Sequence, residues 1–376
     1  MMAYRTTTTA LGIVAVLATA AVCGAAPANA LPHLGRGCQW KPDIGPNIQR
    51  CTVYSPSNNQ NFNVDFRIQD KHAPVLDLYE GLKNVKSSNP TKNGLQGLLD
   101  ISAGGFSVSL AATRVNIVSP AVHFNGTLQA DAETGTNGAH GKPLKIRTFY
   151  LKEIPAYMKK TFGISPKTRR IGAGVSMGAA GLASTNAATG YYSDVLLLSG
   201  IYNFSTPYAG RVTVNTMAQN SGADPLYVSE ASWQKNDPAN PANLQKLKNT
   251  HVTMQAATGV MNVASGEIRP IVDTENTVRR MFIGSPLEVG SFACAQAYLS
   301  SVMMYAPQYA KNIHFYQSNF GVHSWENWRY SLYGRVKMLR DFISWAGIDS
   351  SHIIDIPVWS QRTLEGNIHD IERKVS

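Results

Sequence analysis

One short stretch of the sequence, RRIGAGVSMGAAG at residues 169–181, restricts the fold more than any other. A strand-like run leads to Ser176, and a run of small residues with helical character follows it. Gly174 and Gly178 allow the close backbone approach of a sharp strand-to-helix turn, which lifts the serine hydroxyl out of a sheet. The pattern predicts a nucleophile elbow, in which the N–H of Met177 at the helix N-terminus faces the oxyanion of a reacting ester.

Short apolar runs alternate with helix-like segments along the rest of the chain. The runs cover residues 62–68, 74–81, 113–122, 168–176, 193–203, 251–259 and 312–321. This alternation predicts an α/β fold with a mostly parallel central sheet flanked by helices. The elbow at Ser176 indicates the α/β-hydrolase type of this fold. Residues 204–248 contain no clear strand and predict a helical insertion near the active site. We therefore expect a catalytic domain at 31–346 and a C-terminal extension at 347–376.

A serine nucleophile needs a base, and in folds with such an elbow the chain order is serine, acid, histidine. Among the histidines after Ser176, only His323 follows the last strand-like run through a glycine-containing loop and precedes a helix-like segment. An imidazole on such a loop can reach the elbow, so we predict that His323 is the general base. The other four lie in apparent strands or in the tail: His251, His314, His352 and His369.

Eight acidic residues lie between the serine and this histidine, and spacing alone does not choose among them. They are Asp194, Asp224, Glu230, Asp237, Glu267, Asp273, Glu275 and Glu288. We interpret the surroundings of Glu288, GSPLEVGSFACAQ, as a loop just before a helix. That position suits a carboxylate that orients a neighbouring loop histidine, although it leaves the other acids open.

The first thirty residues differ in kind from the rest of the chain. A segment with one Arg and no acid is followed by the apolar run LGIVAVLATAAV and by small residues before a break after Ala30. We interpret residues 1–30 as a secretion signal that is removed, which predicts a secreted or cell-envelope protein. An uncleaved anchor is the alternative, but about a dozen apolar residues are short for spanning a bilayer.

The formal charge of +10 is spread along the chain without a block of basic residues. This distribution favours peripheral attraction to an anionic envelope surface and gives no support to nucleic-acid binding.

Three cysteines remain after residue 30. Cys38 and Cys51 enclose a loop whose Pro and Gly residues let the chain turn back, so an oxidising compartment favours a disulfide between them. Cys294 would then be unpaired, and we interpret it as a buried structural thiol.

Four segments resemble, in the same order, segments of the antigen 85 family of mycolyltransferases, especially its corynebacterial-type members. They are LYEGLKN (78–84), the elbow IGAGVSMGAAG, the passage 232–259 that begins SWQKNDP, and GVHSWENW (321–328). The resemblance covers about residues 62 to 345, most of the chain. HSWENW together with the elbow and WQKNDP is much more specific than a general hydrolase pattern.

The resemblance implies that Ser176 is the nucleophile and His323 the base. It also favours Glu288 over the other acids, because PLEVGSF falls where the family places a Leu-Glu pair. The backbone N–H of Leu82 would be the second oxyanion donor beside that of Met177.

The resemblance also implies a sugar-binding role for three side chains. Glu80 and Lys83 stand where the family has an Asp and an Arg that contact trehalose, and Trp325 matches its sugar-side tryptophan. Lys lacks the bidentate geometry of Arg, and KNGLQ (92–96) lacks the tryptophan of the family's YNGWD stretch. The acceptor therefore stays open among trehalose, an arabinan hydroxyl of the cell wall and a protein hydroxyl.

The resemblance implies transfer of a mycolyl chain from trehalose monomycolate to an acceptor hydroxyl through a serine acyl-enzyme, chemistry that needs no metal or organic cofactor. Trehalose mycolate glycolipids are the expected partners. A secreted carboxylesterase with the same triad is the alternative. A non-catalytic envelope- or matrix-binding protein is a third hypothesis, although such a protein would have no need of the intact serine, histidine and candidate glutamate.

Overall fold

A strand forms in each of the seven apolar runs of the sequence. The computed structural model describes residues 33–81, 97–99, 104–120, 131, 141–204, 210–211, 229–268, 274–334 and 337–356. The strands within these residues are β1 (Cys38–Trp40), β2 (Ile48–Ser55), β3 (Gln60–Arg67), β4 (Val75–Tyr79), β5 (Asn116–Pro120), β6 (Arg170–Val175), β7 (Asp194–Leu198), β8 (His251–Ala257) and β9 (Ile313–Ser318). They form one sheet in the order β1-β2-β3-β5-β4-β6-β7-β8-β9.

Helices connect these strands. The α-helices are α1 (Phe106–Ser109), α2 (Ile146–Thr148), α3 (Ile154–Phe162), α4 (Met177–Thr189), α5 (Glu230–Asn236), α6 (Pro241–Leu244), α7 (Thr274–Arg279), α8 (Ser285–Tyr305), α9 (Trp325–Tyr333) and α10 (Met338–Trp345). π-helical turns link α2 to α3 (Phe149–Glu153) and α7 to α8 (Arg280–Gly284), and 3₁₀ turns follow α6 (Gln245–Asn249) and α8 (Pro307–Asn312).

The sheet is parallel on one side and antiparallel on the other. Neighbours from β5 through β4, β6, β7 and β8 to β9 run parallel, whereas β1, β2 and β3 pair antiparallel and join β5 antiparallel. The prediction of a mostly parallel sheet flanked by helices is confirmed. Neither β1 nor β2 is among the predicted runs, because polar residues interrupt their sequences, CQW and IQRCTVYS.

The central strands are buried on both faces, as parallel strands between helices require. In β7, Val195 and Leu197 join an apolar cluster with residues of α3, α4 and α8. Leu196 and Leu198 point the other way and join a second cluster with residues of α9 and α10. The sheet is thus packed between helices on both faces, and the carboxyl ends of its parallel strands lie along one edge.

The cysteines behave as the sequence predicts. Cys38 and Cys51 are directly opposed residues of β1 and β2, and a disulfide joins them. Cys294 lies in α8 as a buried free thiol, and burial raises its pKa to about 11.

Only part of the predicted insertion and extension lies within the described residues. Within the insertion, residues 229–248 include α5, α6 and most of the 3₁₀ turn. In the extension, Ile348, Ile353 and Ile356 are buried in the second apolar cluster, while residues 357–376 lie outside the described part, as do residues 1–32. Within the described part, no helix is both long and apolar enough to cross a membrane.

Candidate active site

Ser176 occupies a strained turn between β6 and α4. Its φ of 55° lies in the left-handed region that non-glycine residues rarely adopt. Glycine is required at residue 178, because a Cβ there would come within 2.1 Å of the Tyr79 carbonyl oxygen at the end of β4. The Ser176 N–H donates to the Leu198 carbonyl at 2.7 Å, which fixes the turn to β7. The serine is thereby held at the carboxyl edge of the sheet, as a nucleophile elbow requires.

His323 lies between Ser176 and Glu288 and contacts both. Its Nε2 is 2.7 Å from Ser176 Oγ, and its Nδ1 is 3.0 Å from Glu288 Oε2. A carboxylate only accepts hydrogen bonds, so Nδ1 carries the proton and Nε2 is the acceptor for the serine hydroxyl. The imidazole also lies edge-on to the Trp328 ring, with centroids 5.0 Å apart. The structure thus brings the three residues singled out in the sequence into one hydrogen-bonded chain.

The position of Glu288 corrects one detail of the sequence interpretation. Glu288 lies in the first turn of α8, not in a loop before it. Gly284 and Pro286 look like helix breakers in the sequence. The π-helical turn Arg280–Gly284 nevertheless joins α7 directly to α8, so the helical path continues through both residues.

The buried carboxylate of Glu288 accepts several hydrogen bonds that the sequence did not indicate. Its Oε1 accepts from Ser199 Oγ at 2.7 Å and from the Ala257 N–H at 2.8 Å. Ser199 Oγ in turn accepts from Trp328 Nε1 at 2.8 Å. These bonds leave Oε2 for the imidazole and fix the carboxylate in one orientation.

Four residues of this hydrogen-bonded network lie at or just after the carboxyl ends of four adjacent strands. Ser176 follows β6, Ser199 follows β7, Ala257 ends β8 and His323 lies in the loop after β9. Chemistry at this edge is expected for an open α/β sheet. No local sequence signal marks Ser199 and Ala257, because their approach to Glu288 depends on which strands lie side by side in the sheet.

The predicted oxyanion donors are only partly within the described residues. Met177 is the first residue of α4 and is buried, so its N–H lies at the amino end of a 13-residue helix. Such an end carries partial positive charge and favours an oxyanion. Leu82 and Lys83 lie outside the described residues.

The two described candidates for sugar binding differ in their surroundings. Glu80 is buried, and its carboxylate accepts from the Leu98 N–H at 2.9 and 3.1 Å. Trp325 is half-buried at the start of α9, and its ring lies edge-on to that of Trp328 at 4.9 Å. A sugar-binding role for Glu80, Lys83 and Trp325 stays a prediction.

Nothing in the described part of the chain resembles a metal centre: no group of three or more His, Cys, Asp or Glu side chains there is arranged to hold an ion.

The fold and the site define the class as an α/β hydrolase of the serine-esterase type. The sequence matches the model of the family described as putative esterase over residues 55–339, most of the chain. The chain therefore belongs to the putative esterase family. No curated protein sequence matches it.

Two solved structures are similar to most of this chain. MPT51 of Mycobacterium tuberculosis, an antigen 85-like protein, is similar over 80% of this chain and 99% of its own, with a TM-score of 0.57 and 17% identity. An S-formylglutathione hydrolase from Agrobacterium tumefaciens is similar over 86% of this chain and 100% of its own, with a TM-score of 0.49 and 11% identity. The family match and the similarity to MPT51 confirm the predicted α/β-hydrolase fold.

Proposed function

We propose that this protein is a serine acyltransferase that moves a mycolyl chain from trehalose monomycolate to an acceptor hydroxyl. One observation supports serine ester chemistry above all: His323 is hydrogen-bonded to Ser176 Oγ through Nε2 and to Glu288 through Nδ1. The four antigen 85-like segments, HSWENW foremost, support the choice of a mycolyl donor.

Acylation begins when Ser176 Oγ attacks the carbonyl carbon of the donor ester. The hydroxyl proton passes to His323 Nε2, and Glu288 stabilises the imidazolium through Nδ1. The N–H groups of Met177 and Leu82 hold the tetrahedral oxyanion. The intermediate collapses with cleavage of the bond to the trehalose oxygen, which leaves with the proton from Nε2.

Transfer completes the cycle by the reverse of these steps. An acceptor hydroxyl gives its proton to Nε2 and attacks the acyl-enzyme carbonyl, and Ser176 leaves with the proton returned to its oxygen. Trehalose, cell-wall arabinan or a protein hydroxyl can serve as acceptor in this scheme. Glu80, Lys83 and Trp325 are the proposed contacts to the sugar. The chemistry uses protein groups alone.

The proposed place of action is the cell envelope or the medium. Residues 1–30 have the composition of a secretion signal, and a disulfide between Cys38 and Cys51 suits an oxidising compartment. The positive formal charge would favour peripheral attachment to an anionic envelope.

A secreted carboxylesterase is the second candidate, and the environment of Glu80 favours it. This carboxylate accepts a hydrogen bond from the Leu98 N–H. The acidic group expected to contact trehalose therefore already has a hydrogen-bond partner within the protein. If no sugar displaces that bond, water becomes the acceptor of the acyl group.

Product analysis separates the two candidates. The protein beginning at Leu31 is incubated with trehalose monomycolate, with and without added trehalose or arabinan, and the lipids are resolved. Ser176→Ala is the inactive variant, and Ser107→Ala is the matched control, because this buried serine bonds the Ile44 carbonyl outside the Ser176 network. Mycolate on an acceptor, formed by the parent and Ser107→Ala only, supports transfer. Free mycolic acid alone supports the esterase, and no turnover by the parent contradicts both.

A further inference from the structure

A second buried carboxylate, that of Glu267, contacts the loop that carries His323. Glu267 Oε1 accepts from the Val322 N–H at 2.8 Å and from Ser324 Oγ at 2.7 Å. These two residues flank His323 directly in sequence. The imidazole is therefore carried by a three-residue segment that one carboxylate oxygen holds at both ends.

The other oxygen of Glu267 fixes the carboxylate itself. Oε2 accepts from the Asn262 N–H at 2.6 Å, within the loop that follows β8. The Gly321 N–H also donates to the Val260 carbonyl at 2.5 Å, so the two loops are joined by main-chain bonds as well. Glu267 thus links the carboxyl end of β8, which supplies a donor to Glu288, with the loop after β9.

This carboxylate occupies its place at an energetic cost. Glu267 is 0% exposed, and burial raises its pKa above the ordinary value. Apolar side chains fill such positions without that cost. Its hydrogen bonds are directed at the backbone and hydroxyl on either side of His323, so the position of the imidazole is what the carboxylate secures.

We propose that Glu267 is a positioning residue for the acyl transfer: it holds Val322 and Ser324 so that His323 stays in contact with both Ser176 and Glu288. The inference rests on the proposed function in one respect, the use of His323 as base for Ser176. A shift of about 1 Å in a reacting group costs on the order of 10²-fold in rate, which is the effect expected when this anchor is removed.

Covalent labelling of Ser176 by a fluorophosphonate probe tests the proposal without a lipid substrate. The serine oxygen forms a bond to phosphorus, fluoride leaves, and the proton passes to His323, so the rate reports the positioning of the imidazole. We expect Glu267→Ala to label about 10²-fold more slowly than the parent. With a short p-nitrophenyl ester, kcat should fall by a similar factor while KM stays within about twofold.

The matched control is Asp65→Asn. Asp65 is also fully buried, but it pairs with Arg50 of β2 in the antiparallel part of the sheet. This variant should lose stability and label at the parent rate. If Glu267 has a purely structural role, Glu267→Ala should also lose stability and still label at the parent rate. Equal labelling rates in Glu267→Ala and the parent would therefore overturn the proposal.

Glu267→Gln is a second variant that tests the proposal if Glu267→Ala does not fold. Its amide oxygen retains the bonds to Val322 and Ser324, whereas its amide nitrogen opposes the Asn262 N–H. We expect labelling about 3–30-fold slower than the parent, from partial misplacement of the loop. A parent rate in a folded Gln variant would overturn the proposal alone. Absence of labelling at Ser176 in the parent would instead overturn the proposed function, and this inference with it.

Discussion

Ser199 Oγ lies 2.7 Å from Glu288 Oε1, and both residues are buried. The same hydroxyl accepts the indole N–H of Trp328 at 2.8 Å. Its own φ of 48° is in the left-handed region, so the backbone is strained to place the hydroxyl there. Ser199 therefore fixes the carboxylate that holds the His323 imidazole.

Replacing Ser199 by Ala should impair both stability and turnover. The change leaves the indole N–H unpaired and removes a donor from a buried carboxylate, which together cost about 1–3 kcal/mol of unfolding free energy. We expect kcat on a short ester to fall about tenfold, since one such bond is worth about 1.4 kcal/mol. Urea unfolding and steady-state kinetics measure the two effects. Ser107→Ala should lose comparable stability with unchanged kcat; equal kcat in both variants would refute the role of Ser199.

The acid of the triad can be tested by Glu288→Gln. The amide preserves the size of the side chain but removes the charge that stabilises the imidazolium and selects its tautomer. We expect kcat to fall by about 10²–10⁴-fold, with the circular dichroism spectrum of the parent retained. Near-normal kcat would assign the role to another carboxylate.

The disulfide should make a measurable contribution to stability. Cys38 and Cys51 are 13 residues apart, and cross-linking a loop of that size stabilises a protein by about 2–4 kcal/mol. The double variant Cys38→Ser/Cys51→Ser should lose that amount of unfolding free energy in urea titrations and keep its labelling rate at Ser176. No change in stability would mean that the bridge does not constrain the unfolded chain.

Burial of Glu267 predicts how stability depends on pH. Its pKa in the folded protein lies above the ordinary value of 4.5, because burial disfavours the charged form. The stability that the protonated Glu267 side chain contributes is therefore fully present below its pKa in the unfolded chain. It is lost as pH rises through its higher pKa in the folded protein. Gln does not ionise at this position.

The unfolding free energy of Glu267→Gln, minus that of the parent, should therefore be more positive at pH 8 than at pH 4.5. Urea titrations of both proteins at the two pH values give this difference, in which the other titrating groups cancel. A difference that stays constant or falls with rising pH would contradict the raised pKa.

Local patterns in the sequence are sufficient to predict the strands in the parallel part of the sheet. Strands such as β7, with the sequence DVLLL, are buried on both faces and leave a continuous apolar run. The elbow at Ser176 and the glycine loop before His323 are likewise short-range patterns. In contrast, β2 alternates polar and apolar residues and depends on pairing with β1 and β3.

The surroundings of Glu288 depend on contacts between segments distant in sequence. Ser199, Ala257 and Asn327 approach this carboxylate from β7, β8 and α9, and their order along the chain does not show that these elements meet. Glu267 is one of eight acids without a distinguishing pattern, because its two partners beside His323 lie 55 and 57 residues away. Sheet topology, rather than local sequence, brings these groups together.

Trapping the acyl-enzyme tests whether the mycolyl chain is carried by Ser176. The protein beginning at Leu31 is mixed with trehalose monomycolate without added acceptor, quenched in acid, digested and examined by mass spectrometry. We predict a mycolyl ester on the peptide containing Ser176, absent from Ser176→Ala and discharged when an acceptor sugar is added before the quench. Mycolate attached to another residue, or mycolyl products formed by Ser176→Ala, would contradict transfer through Ser176.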